Sequence, residues 1–399
     1  MLSYDSAFST ISNHAKLLSC SSVRLADSLG LVLSDDSIAT MPMPLFTNSA
    51  MDGFALAHAD TRTASPACPF QLEIVYEVRA GFAPLDLVPG TAMRIMTGAP
   101  LPEGADCVVP VEDTQVTNGH IAIQERLTSG QNVRFAGSDS QPGDLLCRSG
   151  SVITPARMAI HAMFGFTHVN IVRRPKVAIV TTGDELVETG SVLQPGQIYN
   201  SNRVGLIGLL QAIGIEPAVV VHAFDHEDSA AQALAACSEC DVIISSGGVS
   251  MGDYDVMRRT VEHLGKVEFW KTAVRPGKPF VFGFVGQSMF FGLPGNPVST
   301  MVTFELYVRP VLLKMAGHTN IWRRTVFAEL TEDYNHQPGR RDFVRVSVSN
   351  LSGRATATPH AKQGSGTLSS MADCDGLAVL HEDLTIVERG TVVPVWMIE

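Results

Sequence analysis

The sequence predicts a multidomain α/β plus β chain: a central α/β domain over residues 174–318, a proline- and glycine-rich β module over 44–136, and a C-terminal small β-barrel over 319–399. Three observations carry this. Between Lys176 and Gly317, short β-branched runs alternate with segments of helical periodicity. The flanking regions show short strand-like runs broken by Gly and Pro. The length, 399 residues, suits roughly two to four domains with substantial cores.

In the central region, "KVAIVTT", "EPAVVVHAF" and "DVIISS" read as strands buried in a parallel-rich sheet with helices on both faces. "SNRVGLIGLLQAIG" places Leu206, Leu210 and Ile213 on one helical face and stops at Gly214. "DHEDSAAQALAAC" opens on Asp225 or Asp228 as its N-cap. "NPVSTMVTFELYVRPVLLKMAG" reads as one helix, with Pro297 in the first turn and Met301, Phe304, Val308, Leu312 and Met315 on one face. In the first β module the strand-like runs are "FQLEIVYEV", "TAMRIMTG" and "DCVVPVE"; in the last they are "DFVRVSVS", "GLAVL" and "TVVPVWMI". Residues 1–43 and 137–173, the latter holding the helical "TPARMAIHAMFGF", read as a connector.

Charge and composition narrow the function. With 40 acidic against 29 basic residues and no block of like charge, nucleic acid and anionic membranes are poor partners, and an anionic ligand needs a local basic site. The N-terminus has no basic start leading into a long apolar stretch, so no secretory signal is expected. The most apolar window, Val204 to Phe224, contains Gln211, Glu216 and Pro217 and is expected to form a helix, a turn and a strand, with no membrane span. Seven scattered cysteines fit reduced thiols, hence a cytoplasmic location. The CxxC pair Cys237 and Cys240 ends an alanine-rich helix with no second metal-spaced pair, so helix packing is the expected role.

Strand ends carry the chemistry. "KVAIVTT" leads into Gly183, Asp184 and Glu185; "DVIISS" leads into Gly247, Gly248, Ser250, Asp253 and Asp255. In open α/β sheets ligands bind beyond the carboxyl ends of the strands, where glycines let backbone N–H groups approach an oxyanion. Each carboxylate alone reads equally well as a helix or turn cap, but two such loops at one sheet edge point to a site. "VRPGKPFVFG" sets Arg275 and Lys278 on a proline-stiffened bend, either as a salt-bridged turn or as oxyanion ligands. "GLPGNPVST" adds Pro294, Gly295 and a helix start. Like charges about 4 Å apart repel by roughly 4 kcal/mol at an effective dielectric of about 20, so carboxylates and phosphate in one cleft call for a hard cation such as Mg2+. In the first β module, Asp52 with Gly53 in a tight turn, Thr97 with Gly98, and Arg134 with Asp139 sit in dense loops that read as Asx turns or as part of a site.

Taken in order, "NSAMDGFA", "MTGAPLPEGAD", "TTGDEL", "SSGGVSMGDYD", "PGKPF" and "GLPGNPVS" resemble the MoeA/gephyrin E-domain family, the molybdopterin molybdenumtransferases, from about residue 5 to the C-terminus. The resemblance implies a final step of molybdenum-cofactor synthesis, in which molybdate and adenylylated molybdopterin are the substrates, Mg2+ assists hydrolysis of the adenylate, molybdenum enters the dithiolene and AMP leaves. It implies an elongated homodimer, with 1–43 and 137–173 in its dimerisation region and an intersubunit active site. It further implies hand-over partners: a molybdopterin adenylyltransferase upstream and apo molybdoenzymes downstream.

Carried over by motif, Asp52, Thr97, Glu185, Asp255 and Lys278 are the catalytic set, with Glu185 and Asp255 on the metal. Arg134, Asp139, Asp184, Asp225, Gly247, Gly248, Ser250, Arg275, Pro294, Gly295 and Ser365 bind substrate. Arg341 and Ser369 belong to loops that also match the family's last domain, as pterin-phosphate contacts or as plain barrel polarity. Two departures stand out. In "GDYDV" Asp255 is aligned with the family aspartate, and Asp253 is an alternative. Arg275 stands where many members have lysine, exchanging a point charge for a planar fork. The competing expectations are a noncatalytic molybdopterin-binding carrier or scaffold, a tungstate-selective enzyme, and an adenylyl-transferring relative.

Overall fold

The computed structural model describes residues 1–248, 256–351 and 353–398. The chain divides into two compact units, one of Met1–Asp35, Ser149–Met158 and His168–Glu399, the other of Asp36–Arg148 and Ala159–Thr167.

The first unit begins with helix α1 (Tyr4–His14), capped by Ser3, whose hydroxyl accepts from the Ser6 N–H.

The second unit is built on a six-stranded sheet: β1 (Gly53–Leu56), β2 (Phe70–Val78), β3 (Thr91–Ile95), β4 (Cys107–Pro110), β5 (Thr114–Thr117) and β6 (His120–Ile123), in the order β4-β1-β3-β2-β6-β5. All three strand-like runs of this module fall on strands. Gly53 is not in a tight turn: it starts β1, where a Cβ would lie 2.0 Å from the Val109 carbonyl oxygen on the neighbouring strand, so only glycine allows the pairing.

Back in the first unit, the α/β domain comprises β7 (Val177–Thr182), α2 (Ser201–Gln211), β8 (Val219–Ala223), α3 (Glu227–Ala235), β9 (Val242–Ser246), α4 (Val256–Leu264), β10 (Gly265–Lys271), the short β11 (Val274–Arg275), β12 (Pro279–Val285) and β13 (Ser288–Leu293). The sheet order is β8-β7-β9-β13-β12-β10. The first four strands run parallel, and β12 and β10 add an antiparallel edge. Alternation along the strands divides the core. Val177, Ile179, Val242, Ile244 and Phe291 pack with α2 and the last helices, while Ala178, Val180, Ile243 and Phe290 pack with α3 and α4. Helices thus cover both faces, as in doubly wound folds.

Two details differ from the sequence reading. The N-cap of α3 is His226, whose Nδ1 accepts from the Ser229 N–H, and neither Asp225 nor Asp228 fills that role. The segment from Pro297 is α5 (Pro297–Thr303), a π-helical turn (Phe304–Val308) and α6 (Arg309–Met315). Pro310 explains the turn: it has no N–H to offer the previous turn and its ring would strike that carbonyl, so the helix widens to pass it.

The last strands, β14 (Thr325–Leu330), β15 (Arg341–Leu351), β16 (Arg354–Pro359), β17 (Gly376–Leu380) and β18 (Val392–Met397), close into a five-stranded barrel through the β15–β17 pairing, with β11 appended to β15. Its filling includes Val344, Val346, Ala378 and Val395. Arg341 binds Asp5 of α1 at 2.9 and 3.0 Å and Glu382 at 3.0 Å, so it ties the N-terminal helix to the barrel. Among the described residues no helix is long and apolar enough to cross a membrane.

Candidate functional site

The carboxyl ends of the parallel strands open onto a cleft of ≈ 530 Å³. It is lined by Thr182 at the end of β7 and Gly183 after it, by Ser246 at the end of β9 and Gly247 and Gly248 after it, by Pro294, Gly295 and Asn296 after β13, and by Glu185 and Asp225 on the acidic side. Gly247 and Gly248 adopt φ of 94° and 63°, where L side chains are disfavoured. A Cβ on Gly247 would lie 2.7 Å from the Thr182 carbonyl oxygen. The Thr182 Oγ1 beside this turn is buried and has no hydrogen-bond partner among the described residues. A glycine turn over an unsatisfied hydroxyl is suited to a polar, oxygen-rich ligand.

The acidic side is crowded. The Asp225 N–H donates to Asp184 Oδ1 at 3.0 Å. Burial pushes the Asp225 carboxyl above the usual range, and the neighbouring charges of Asp184 and Glu185 add to the rise, offset in part by a hydrogen bond that the carboxyl accepts from the Asp184 backbone.

Asparagines that sequence reasoning missed hold these loops together. Asn202 Nδ2 donates to Ser246 Oγ at 2.9 Å and to the Gly295 carbonyl at 2.7 Å, bridging the loops after β9 and β13. Asn200, buried, caps α2 by accepting from the Arg203 N–H, and donates to Thr181 Oγ1 at 2.8 Å. Asn296 Nδ2 donates to Ser365 Oγ at 3.0 Å, and the Val298 N–H donates to the Ser365 carbonyl, which places the C-terminal segment at the start of α5. The usable signal was an asparagine directly before each helix, at Asn200 and Asn296. Arg345 was also missed. It is fully buried in the barrel, held by Ser370 Oγ at 2.8 Å and by the carbonyls of Lys362 and Gly364, and its Nη1 has no partner among the described residues.

Other expected residues fall as follows. Lys278 is exposed beside Pro279, which lines the cleft. Arg275 does not line it; it pairs with Asp342 of the barrel at 3.4 Å through the parallel β11–β15 contact. Pro294 and Gly295 line the cleft, and Ser365 reaches it through Asn296. Ser250, Asp253 and Asp255 lie outside the described residues. Among the described residues no group of three His, Cys, Asp or Glu side chains is arranged to hold a metal ion. Cys237 and Cys240 are buried free thiols in the α3–α4 core, Cys237 pushed up to about 11 chiefly by burial, which suits packing.

In the second unit, Asp52 and Thr97 form one constellation. Asp52 Oδ1 accepts from the Thr97 N–H at 2.6 Å and the Thr97 hydroxyl at 2.8 Å, and these bonds, the amide first, hold its carboxyl below the usual range. The Gly98 N–H to the Ser49 carbonyl stitches the same two loops. Arg134 lies on a two-residue strand paired with Asn48–Ser49, and the Asp139 N–H donates to the Met43 carbonyl; both side chains are exposed.

The chain matches the MoeA N-terminal region (domain I and II) over residues 2–165, a probable molybdopterin binding domain over 178–314, and the MoeA C-terminal region (domain IV) over 328–398. The molybdopterin molybdenumtransferase 2 of Mycobacterium tuberculosis is 37% identical over 385 residues, 94% of each chain. The chain belongs to the molybdopterin molybdenumtransferase family. It is therefore a transferase. The family's Haemophilus influenzae member is 35% identical, covering 94% of this chain and 92% of that one. A crystal structure of the molybdopterin biosynthesis MoeA protein from Pyrococcus horikoshii OT3 superposes at a TM-score of 0.85 and 29% identity over 100% of both chains.

Proposed function

We propose that the protein is a molybdopterin molybdenumtransferase acting in molybdenum-cofactor biosynthesis, taking molybdate and adenylylated molybdopterin and releasing AMP. The observation that carries this reading is the single cleft in which Gly247, Gly248 and Gly295 face Glu185 and Asp225 at the carboxyl edge of the sheet. Glycine turns and a helix start favour a phosphate; carboxylates beside them disfavour it unless a cation lies between.

Burial raises the Asp225 carboxyl, and the charges of Asp184 and Glu185 beside it add to the rise; that grouping of hard oxygen donors fits Mg2+, because a divalent ion relieves their repulsion. Glu185, with Asp255, is the set proposed to hold it; the ion would supply charge neutralisation at the phosphate. Lys278, exposed beside the lining residue Pro279, is proposed to supply positive charge to the phosphate or molybdate. Asp52 and Thr97 are proposed to act from a second subunit of a homodimer, and the molybdopterin adenylyltransferase and apo molybdoenzymes are proposed as hand-over partners.

The test is AMP release from adenylylated molybdopterin by the purified protein, with and without molybdate and Mg2+, followed by reconstitution of an apo molybdoenzyme. Release that depends on both, with reconstitution, is expected. Tight binding without turnover would overturn the enzyme reading in favour of a carrier, and equal or better turnover with tungstate would overturn the choice of metal.

A further inference from the structure

At the carboxyl ends of β7 and β8, a chain of polar side chains has proton positions that follow from its partners. Asn200 Oδ1 accepts from the Arg203 N–H, which fixes the amide so that its Nδ2 donates to Thr181 Oγ1 at 2.8 Å. Thr181 is fully buried, and with its oxygen already accepting from Asn200, its own hydrogen goes to His222 Nδ1 at 3.2 Å. Thr181 and His222 are register partners on parallel strands, so their side chains share one face of the sheet.

A ring nitrogen that accepts carries no hydrogen, so the neutral imidazole bears its hydrogen on Nε2. That Nε2 is buried and has no partner among the described residues. A buried donor left unpaired is costly, and capping does not account for it, since His226 fills that role at α3. The carboxyl within its influence is Asp225, in the loop that follows β8. Burial and the charges of Asp184 and Glu185 disfavour the Asp225 charge, and His222 favours it.

We propose that His222 is a positioning residue for Asp225: the Asn200–Thr181 chain keeps the hydrogen on Nε2, and this N–H orients the Asp225 carboxylate on the acidic side of the cleft. A neutral ring aims a carboxylate without adding net charge beside a phosphate. The pairing stands by itself; its use in the reaction rests on the function proposed above for the cleft.

A double-mutant cycle on the full-length protein tests the pairing. Asp225→Asn is melted at pH 7 in the wild-type and His222→Phe backgrounds, and its gain in Tm is expected to be about 2 °C or more larger in His222→Phe, where the buried carboxylate has lost its donor. Equal gains overturn the pairing. Should His222→Phe fail to fold, spectra of 15N-histidine-labelled protein read the same chain. The His222 signal, identified by its loss in His222→Gln, is expected to show the hydrogen on Nε2 in wild type and to lose that pattern in Thr181→Val. A pattern unchanged by Thr181→Val overturns the proton chain. In the reaction, KM for adenylylated molybdopterin, a phosphate ester, is expected to rise about tenfold in His222→Phe and to recover in His222→Gln, whose amide restores an N–H donor. A KM that does not move, or a rise that glutamine does not reverse, overturns the positioning role. Absence of AMP release by wild type with the coupling intact overturns the reaction proposed for the cleft and not the pairing.

Discussion

The Asp225 amide donates to Asp184 Oδ1 at 3.0 Å, which fixes two carboxyl-bearing residues from the loops after β7 and β8 beside one another. Burial, then the charges of Asp184 and Glu185, raise the Asp225 carboxyl. With a raised folded value, the group favours the folded state below the usual carboxylate pKa and loses that contribution as pH rises through the shifted value. Asp225→Asn is therefore expected to raise Tm by about 1–3 °C at pH 7 and to leave it unchanged near pH 3. If the same carboxylates hold Mg2+, the variant also needs on the order of tenfold more Mg2+ for half-maximal AMP release. An unchanged Mg2+ requirement would show that Asp225 does not act on the cation held by Glu185 and Asp255.

Gly247 and Gly295 face the same cleft but differ in strain. Alanine at position 247 meets both a φ of 94° and the Thr182 carbonyl at 2.7 Å, so Gly247→Ala is expected to destabilise by about 1–3 kcal/mol and abolish ester binding. The nearest atom to a Cβ at position 295 is the Gly247 Cα at 3.7 Å, an ordinary contact, so Gly295→Ala keeps its Tm. Its methyl protrudes into the cleft, and KM for the ester rises. Equal melting of the two variants would contradict this account of the turn.

Sheet and barrel were legible because burial imposes its own pattern: "KVAIVTT" and "DVIISS" are continuous apolar runs since both sheet faces are covered. Glu185, Gly247 and Gly295 could be placed at one cleft because strand direction alone puts the ends of β7, β9 and β13 on one edge. What sequence could not give was long-range pairing. The Arg275–Asp342 contact spans 67 residues, the Asn202–Gly295 bridge spans 93 and the Asp5–Arg341 pair spans 336, and no local periodicity encodes them. Nor does composition tell that the first turn of α3 is capped by His226, since acidic residues on either side are equally good caps.

Asp52 and Thr97 make a separate prediction. The Asp52 carboxyl is held low first by the Thr97 amide and then by its hydroxyl. A depressed folded value adds stability above the usual carboxylate pKa, and that stability is lost as pH falls through the folded value. Asp52→Ala is expected to lower the melting temperature at pH 7 and to match wild type once the pH is below the folded pKa. Thr97→Val keeps the amide donor, so its stability loss is the smaller of the two, whereas both variants reduce AMP release if the pair touches substrate. Full activity in Thr97→Val would confine the pair to a structural turn.

Arg173 and Asp241 test the fold without the cleft. Two guanidinium nitrogens reach the Asp241 oxygens at 2.7 Å each, and the Lys176 N–H adds a third bond at 2.7 Å, fixing the entries to β7 and β9. Burial opposes the Asp241 charge, yet the Arg173 hydrogen bonds and the Lys176 amide outweigh it and hold the carboxyl low. Asp241→Ala strands both donors and is expected to destabilise by about 2–3 kcal/mol at pH 7, a fall in Tm on the order of 5 °C. Arg173→Ala leaves the Lys176 bond in place and falls by less. Because the folded value is depressed, the difference between wild type and Asp241→Ala shrinks as pH drops through it. Neither residue lines the cleft, so kcat and KM below the transition stay at wild-type values. A fall in kcat at temperatures where both variants remain folded would mean that the strand entries transmit strain to the loops at the opposite edge.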